Sequence, residues 1–448
     1  MSTSSLGAEI SALAARVAGP VLVPGDDGFD AEITPFNLAL THSPDVVVGA
    51  ASTGDVAEAV RFAAALGLPV NAFAAGHGDA EVESGVMVST KRLGDVRIDP
   101  GARLATVGGG TQWRDVVAAA AEHGLAPITG ASGVVGVVGF LLGGGVGPLA
   151  RSHGFGSDHL RGATVVTGGG EIVDTDDHPD LLWALRGGRA GLGIVTEARV
   201  GLVELPTLYA GALFFDTPHI EQAFRAYVDW TAGTDPRVTT SAAIVRFPPF
   251  DMVPEPLRGR RLLSVRFAYP GPAAEGERLA APLRAFAPVH LDGLGELPAA
   301  EIARIHSDPT EPAPAWVSGS MLAAVDQDFA TAHLAAAEAS PFISVEIRQL
   351  GEATARDVPE GSAVGGRDGA FTLGVVAADP STFAGAPAAF DALKATVAPW
   401  LSPHTTVNFI GVPRSEEVWR SAWPGDTYLR LGEIRRRYDP EGVFPTPF

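Results

Sequence analysis

The sequence predicts an α+β fold, in which a glycine-rich half that hugs a ligand is followed by an antiparallel sheet backed by helices. Three observations predict it. First, a β-α-β unit runs from Val46-Val47-Val48, through a helix opened by Ser52 and Asp55 and closed by Gly67, into a strand over 68–73. That strand empties into the small-residue loop Ala74-Ala75-Gly76-His77-Gly78. Second, Gly133 to Ala150 carries no charged or polar side chain and is punctuated by Gly136, Gly139, Gly143, Gly144, Gly145 and Gly147. So many glycines make a poor helix or membrane span and suit a chain that turns closely around something. Third, after Pro206 the glycine clusters thin out, and runs of alternating apolar and polar residues take turns with helical stretches.

Composition bounds the partners. A chain of 448 residues, 46% hydrophobic and 19% charged, has material for two or three globular domains and a large core. Its net charge of -20 argues against nucleic acid and against an anionic membrane surface, because both are bound by clustered Lys and Arg. With Cys 0 there is no disulfide framework, zinc-cysteine site or thiol nucleophile, which fits a reducing compartment. Met1–Ala18 lacks the basic start and apolar core of a signal peptide, so a cytoplasmic location is expected. No metal site is expected from the scattered histidines.

Taken in order, Ile10–Val17 has helical apolar spacing and reads as a short capping helix. The loop at 74–78 offers main-chain N–H groups to a ligand such as phosphate, with His77 standing where that ligand passes. Val96–Ile98 and Leu104–Val107 pair around Asp99-Pro100-Gly101, and a helix carrying Trp113, Val116, Val117, Ala120 and Ala121 stops at Gly124. A Rossmann-like Gly145-Val146-Gly147-Pro148-Leu149-Ala150 lies in the long glycine segment. Pro148 and the glycine-broken Arg151–Ser157 deny it the helix that would bind a dinucleotide, so NAD(P) is not expected there. Gly162–Thr167 reads as a strand, 181–186 as a short helix, and Ile194-Val195 as the start of a buried strand. Further strands are expected at 213–215, 241–246, 262–268, 343–349 and 370–376, with helices at 220–230, 329–339 and 390–398. Near the end, Leu431, Ile434 and Tyr438 share a helix face that Asp439-Pro440 terminates.

Several of these stretches together resemble one family. They are Gly76-His77-Gly78, the run from Gly130 to Gly147, Gly187 to Thr196, Val407-Asn408-Phe409, and Tyr438-Asp439-Pro440 with Phe444. The chain resembles flavin oxidases of the berberine bridge enzyme-like kind, in the vanillyl-alcohol oxidase/PCMH superfamily. The resemblance implies a PCMH-type FAD-binding domain over 1–204, a substrate-binding domain over 205–399 and a segment over 400–448 that returns to the first domain, with Val407–Phe409 as a strand. It implies FAD joined covalently to His77. Phe73, Ala74, Ala75, Gly76, His77 and Gly78 are the matching cofactor positions in the first loop. Ser132, Gly133, Val135, Gly136, Gly139, Gly143, Gly144 and Gly145 match in the second, and Ile194, Val195 and Asn408 match elsewhere. Many members carry a cysteine where this chain has Ser132, so attachment through His77 alone is implied. Phe73 stands where an arginine is common, and Ala74-Ala75 where Gly-Gly is common.

The function implied is a flavin-dependent oxidase that takes a hydride from a small organic substrate and passes electrons to oxygen. Members that oxidise sugars often use tyrosines at two places occupied here by Phe409 and His153. Phenylalanine cannot take a proton, so a natural-product or heteroaromatic substrate is expected, in secondary metabolism. His153 is the catalytic candidate because imidazole titrates near neutrality and can accept a proton. A surface histidine in the turn Arg151-Ser152-His153, or one merely bonded to the flavin edge, accounts for it as well. Glu346, Arg348 and His306 are the next candidates for the proton acceptor. A flavin-binding protein that sequesters a drug, or runs redox-neutral chemistry, is the alternative. A hydrolase has no Gly-x-Ser-x-Gly elbow to rest on. The expected partners are the substrate and oxygen, with the chain as a monomer or homodimer.

Overall fold

A computed structural model of the chain describes residues 3–78, 80–411 and 415–446. Three sheets organise it. The first has four strands in the order Val21–Leu22, Val46–Gly49, Val86–Ser89, Val70–Phe73, and the last three run parallel. Parallel strands need a crossover, which the helix Thr53–Leu66 supplies. The Ser52 hydroxyl caps its start by accepting from the Asp55 N–H at 3.1 Å, and Gly67 ends it at φ +65°. Val46, Val48, Val86 and Val88 are buried against the Val56, Ala59, Val60 and Ala63 face of that helix.

The second sheet is antiparallel, in the order Val96–Asp99, Leu104–Gly108, Ile194–Glu204, Leu160–Val166, Ile172–Asp174, with Leu125–Pro127 paired to the far end of the long central strand. Its core gathers Trp113 and Val116 from the helix Trp113–Ala121, Leu181 and Trp183 from Pro179–Leu185, and Trp419, Trp423, Leu431, Ile434 and Tyr438 from near the end of the sequence. The chain therefore comes back to this core after building the third sheet. The return is pinned by directional bonds: Arg435 donates to the carbonyls of Gly188 and Ala190 at 2.8 and 2.9 Å. The Asp439 carboxylate accepts from the Val443 and Phe444 N–H groups, both at 2.8 Å, and Val70 donates to the Val443 carbonyl at 2.8 Å.

The third sheet is antiparallel throughout. Its main path runs Leu291–Asp292, Thr207–Asp216, Arg261–Tyr269, Thr239–Arg246, Ser344–Gln349, Phe371–Ala377, Trp316–Leu322. Alternate residues Leu263, Val265, Phe267, Ala242, Ile244, Val345, Ile347, Leu373 and Val375 point to one face. There the helices Ile220–Thr231, Gln327–Ala339 and Ala386–Thr396 bury them. The intervening residues carry the polar side chains and face the other way.

Three expectations about elements are corrected, and one strand was not foreseen. Trp316–Leu322 is an edge strand that its Ser-Gly-Ser centre concealed. Val407–Phe409 is a 3-10 turn rather than a strand, because Phe409 donates its N–H to Thr406 and the side chains of Thr406 and Asn408 engage the glycine segment instead of a ladder. Within that segment Val137–Leu142 does form a helix. It lasts six residues, buries Val137 and Leu141, leaves Gly139 exposed and stops at Gly143. The N-terminal helix spans Thr3–Ala14, not 10–17. Among the described residues no helix is long and apolar enough to cross a membrane.

Candidate active site

The strand Val70–Phe73 ends in the His77 loop, and the site builds outward from that imidazole. Gly76 takes φ +70°, and a β-carbon there would meet Pro35 at 2.5 Å, so only glycine lets the loop lie against Pro35-Phe36. The loop is zipped to that segment by Phe36 donating to the Ala75 carbonyl at 3.2 Å and Asn37 to the Gly76 carbonyl at 3.1 Å. In consequence the Phe36 ring stacks on His77, with centroids 3.9 Å apart and planes 22° from parallel. His77 Nε2 lies 3.1 Å from the Val134 carbonyl. A carbonyl only accepts, so Nε2 carries the proton and Nδ1 is left with its lone pair. Burial pushes the imidazole down to about 4, against the opposing pull of the Val134 bond, so the ring is neutral at physiological pH.

The bond to Val134 also brings the second loop over the first. A β-carbon on Gly136 would lie 3.8 Å from Ala75 and 3.9 Å from Ala74, so small residues face small residues across the gap. Gly78 and Gly139 open onto free space, and Ser132 and Val135 are half-buried on the same stretch. Next to Gly133 is Arg114, 3.2 Å from where a β-carbon would sit. Phe73 turns away: its side chain packs in an apolar cluster with Phe29, Val47, Val82 and Met87, and only its backbone faces the loop. Ile194 and Val195 are buried in the cores beneath.

The triple glycine is constrained by protein atoms. A β-carbon on Gly143 would collide with the Asn408 side chain, whose Nδ2 donates to the Phe140 carbonyl at 3.0 Å. The same carbon on Gly144, at φ +97°, would meet Thr406 Oγ1 at 3.0 Å, and on Gly145, at φ +79°, it would run into the Phe140 ring. Asn408 is thereby brought onto the loop, and Phe409 packs beside Val146, Ala150, Phe155 and Met321.

His153 ends the short helix Ala150–His153. Ser152 Oγ donates to the Leu149 carbonyl at 3.0 Å and lies 2.8 Å from His153 Nδ1. The hydroxyl has one proton, so Nδ1–H donates to Oγ and Nε2 is the bare acceptor. Burial, and then the nearby His159, push this imidazole down to about 4 rather than leaving it near neutrality. Its neighbour Arg151 ties the helix to the third sheet through the Val238 carbonyl at 2.8 Å and the Leu350 carbonyl.

The open face of the third sheet holds the remaining candidates. Glu346 lies between Arg266 at 2.7 Å and Arg348 at 2.8 Å, with His306 Nε2 at 3.9 Å. Burial raises the Glu346 carboxyl, but the two guanidiniums outweigh it and hold the group below its usual range. A narrow cleft joins Arg266, Ser241, Arg348 and His306 to Val146, Gly147 and Pro148 of the glycine segment, with room for about one water. Sequence reasoning missed Phe36, Ser241, Ser264, Arg266 and Thr372. The last four were signalled by polar residues at alternate strand positions. Arg367 is structural: it pairs with Asp158 at 2.5 Å and lies over Phe155.

Comparison with known proteins gives the following. A family model described as an FAD binding domain matches residues 44–176. Over 195 residues, 42% of this chain and 43% of the relative, the sequence is 37% identical to (R)-6-hydroxynicotine oxidase of Paenarthrobacter nicotinovorans. The crystal structure of 6-hydroxy-D-nicotine oxidase from Arthrobacter nicotinovorans matches with a TM-score of 0.82 at 25% identity, covering 96% of both chains. Berberine bridge enzyme-like 1 of Physcomitrella patens matches with a TM-score of 0.84 at 17% identity over 98% of both. Glucooligosaccharide oxidase from Acremonium strictum, a protein with 6-S-cysteinyl, 8α-N1-histidyl FAD, matches with a TM-score of 0.83 at 21% identity, again over 98% of both. The curated sequence of glucooligosaccharide oxidase from Sarocladium strictum is 32% identical over 228 residues. The sequence matches to the nicotine and glucooligosaccharide oxidases span less than half of those relatives' lengths, 43% and 44%.

Proposed function

We propose that the chain, whose residues 44–176 match an FAD binding domain and whose whole-chain fold matches 6-hydroxy-D-nicotine oxidase, is an FAD-dependent oxidase of a small organic substrate of the berberine bridge enzyme-like kind. The observation that carries the reading is the His77 loop lying against the 133–139 loop, with Nδ1 making no hydrogen bond among the described residues. These residues fit the cofactor. Small residues line both sides of the gap, and the imidazole is neutral, with its nucleophilic nitrogen carrying a lone pair. His77 Nδ1 would anchor FAD covalently, while Ser132, with an oxygen in place of a thiolate, would add a hydrogen bond and no second linkage. Backbone of 74–78, 132–136, 139 and 143–145 and the amide of Asn408 would hold it. FAD, when bound, supplies the two-electron acceptor for hydride removed from substrate carbon and passes electrons to oxygen.

The chain's own part is positioning and proton handling. His153, with Nε2 bare, is the group that would accept the substrate O–H or N–H proton. Asn408 can orient substrate through its amide but has no basic lone pair, and Phe409 offers only an apolar wall. This set favours a natural-product or heteroaromatic substrate in secondary metabolism. The divisions 1–204, 205–399 and 400–448 are supported by the main core of the third sheet, drawn from residues 209–397, and by the return of 407–438 to the core of the second sheet. The absence of cysteine fits a reducing compartment such as the cytoplasm, and the chain is proposed as a monomer or homodimer.

The test is to purify the protein, precipitate it in acid and read absorbance. Yellow precipitate with one FAD of added mass is expected, lost in His77→Ala. Anaerobic mixing with a panel of N-heteroaromatic and phenolic compounds should bleach the flavin, and oxygen should restore it. Bound flavin that no compound reduces would point to the sequestering or redox-neutral alternative. Protein without FAD would overturn the reading altogether.

A further inference from the structure

The polar face of the third sheet is laid out in rows by its register. Arg266 lies opposite Ser241, Ser241 opposite Arg348, and Arg348 opposite Thr372. Antiparallel partners sit about 5 Å apart, so the two arginines flank Ser241 at about 10 Å between their α-carbons. The next row holds Ser264, Ala243, Glu346 and Gly374. Glu346 engages both guanidiniums from one side, and one carboxylate against two guanidiniums leaves a positive surplus.

The surroundings are dressed for a guest. Ser241, Ser264 and Thr372 are all but fully buried; among the described residues the hydroxyls of Ser264 and Thr372 have no hydrogen-bond partner, and that of Ser241 has only the neighbouring Glu346 carboxylate. The His306 side chain, 5% exposed, has no hydrogen bond at either ring nitrogen among the described residues. Unpaired buried polar groups of this kind cost stability unless something satisfies them, and His306 lines one cleft together with Ser241 and the two arginines. Asp308, the other carboxyl nearby, is exposed to solvent and makes no ion pair with either arginine among the described residues. On its far side the cleft meets the glycine segment at Val146–Pro148, so whatever occupies it approaches the proposed FAD site.

We propose that Arg266, Ser241 and Arg348 form a carboxylate-recognition subsite, so that the substrate of the oxidation proposed above, on which this inference rests, is an organic acid held by its anionic end. A carboxylate there completes a balanced cluster of two guanidiniums and two carboxylates, accepts from the Ser241 hydroxyl and from His306, and leaves the far end of the molecule to reach the glycine segment. Gly374 and Ala243, beside Glu346 in the second row, keep the approach clear: a β-carbon on Gly374 would meet nothing within 4 Å.

The probe pair is benzoate and its neutral isostere benzamide, titrated calorimetrically into the purified holoenzyme. Benzoate is expected to bind at least tenfold more tightly than benzamide. Arg348→Gln should erase that preference, whereas Glu346→Gln, by removing the competing carboxylate, should strengthen benzoate about tenfold and leave benzamide unchanged. Ser241→Asp supplies the carboxylate from within the protein and should abolish benzoate binding in a folded, thermally more stable protein. Equal binding of the two probes would overturn the proposal, as would Glu346→Gln weakening benzoate as Arg348→Gln does, the mark of a purely structural ion cluster. Flavin content and flavin reduction, read on the same samples, report separately on the oxidase reading.

Discussion

At the scale of single residues, two histidines are held neutral by burial in different surroundings. His77 is wedged between the Phe36 ring and the Val134 carbonyl, which fixes its tautomer; His153 is oriented by the hydroxyl of Ser152. Both are pushed down to about 4 from an ordinary value near 6.5. An unfolded chain therefore takes up protons at these sites that the native protein refuses, and their contribution makes stability fall as pH drops from about 6.5 towards 4. For His153 the catalytic consequence is specific. A base must be deprotonated to act, so the rate of flavin reduction should be flat from pH 8 to 5 and decline only near 4. His153→Ala should keep bound FAD and lower that rate about a hundredfold, with the acidic decline removed. Stopped-flow reduction at a series of pH values checks this; an unchanged rate would return His153 to a structural role. His77 was legible because its flanking glycines announce it. Phe36 was not, since nothing local marks a ring some forty positions earlier as its stacking partner.

At the scale of elements, the glycine segment acts as a backbone ribbon whose width is set by its neighbours. The β-carbon that Gly143 lacks would occupy the Asn408 side chain, so the two positions are coupled. Gly143→Ala should displace Asn408, lower the melting temperature and reduce FAD occupancy. Adding Asn408→Ala should recover part of the stability, with a coupling of about 1 kcal/mol or more in a double-mutant cycle. Additive losses would show that the two do not share that space. Alternation made most of the third sheet readable: Ser344–Gln349 and Phe371–Ala377 agree with their expected spans within a residue or so. It failed at Trp316–Leu322, whose residues Ser318, Gly319 and Ser320 give no hydrophobic period, and which is a strand because Phe371–Ala377 offers it a full ladder. It failed too at Val407–Phe409, where side-chain bonds to the glycine segment won over sheet pairing.

At the scale of the molecule, the layout of the cofactor half could be read from Gly76-His77-Gly78 at one end and Tyr438-Asp439-Pro440 at the other. The charged row on the third sheet could not, because Arg266, Ser241 and Arg348 become neighbours only through register. Another consequence lies in the closing helix Asp426–Tyr438 and the Val443–Phe444 segment that anchors to Val70 and Asp439. These pieces complete walls laid down by the first two hundred residues. A ribosome making this protein thus adds these walls only after the whole third sheet has emerged. Until then the nascent chain carries an open, apolar half-core. A chain ended before Asp426 should collect in inclusion bodies or emerge colourless, and supplying 426–446 as a separate peptide during refolding should restore colour. A soluble, yellow truncated chain would show that the chamber closes without its last wall.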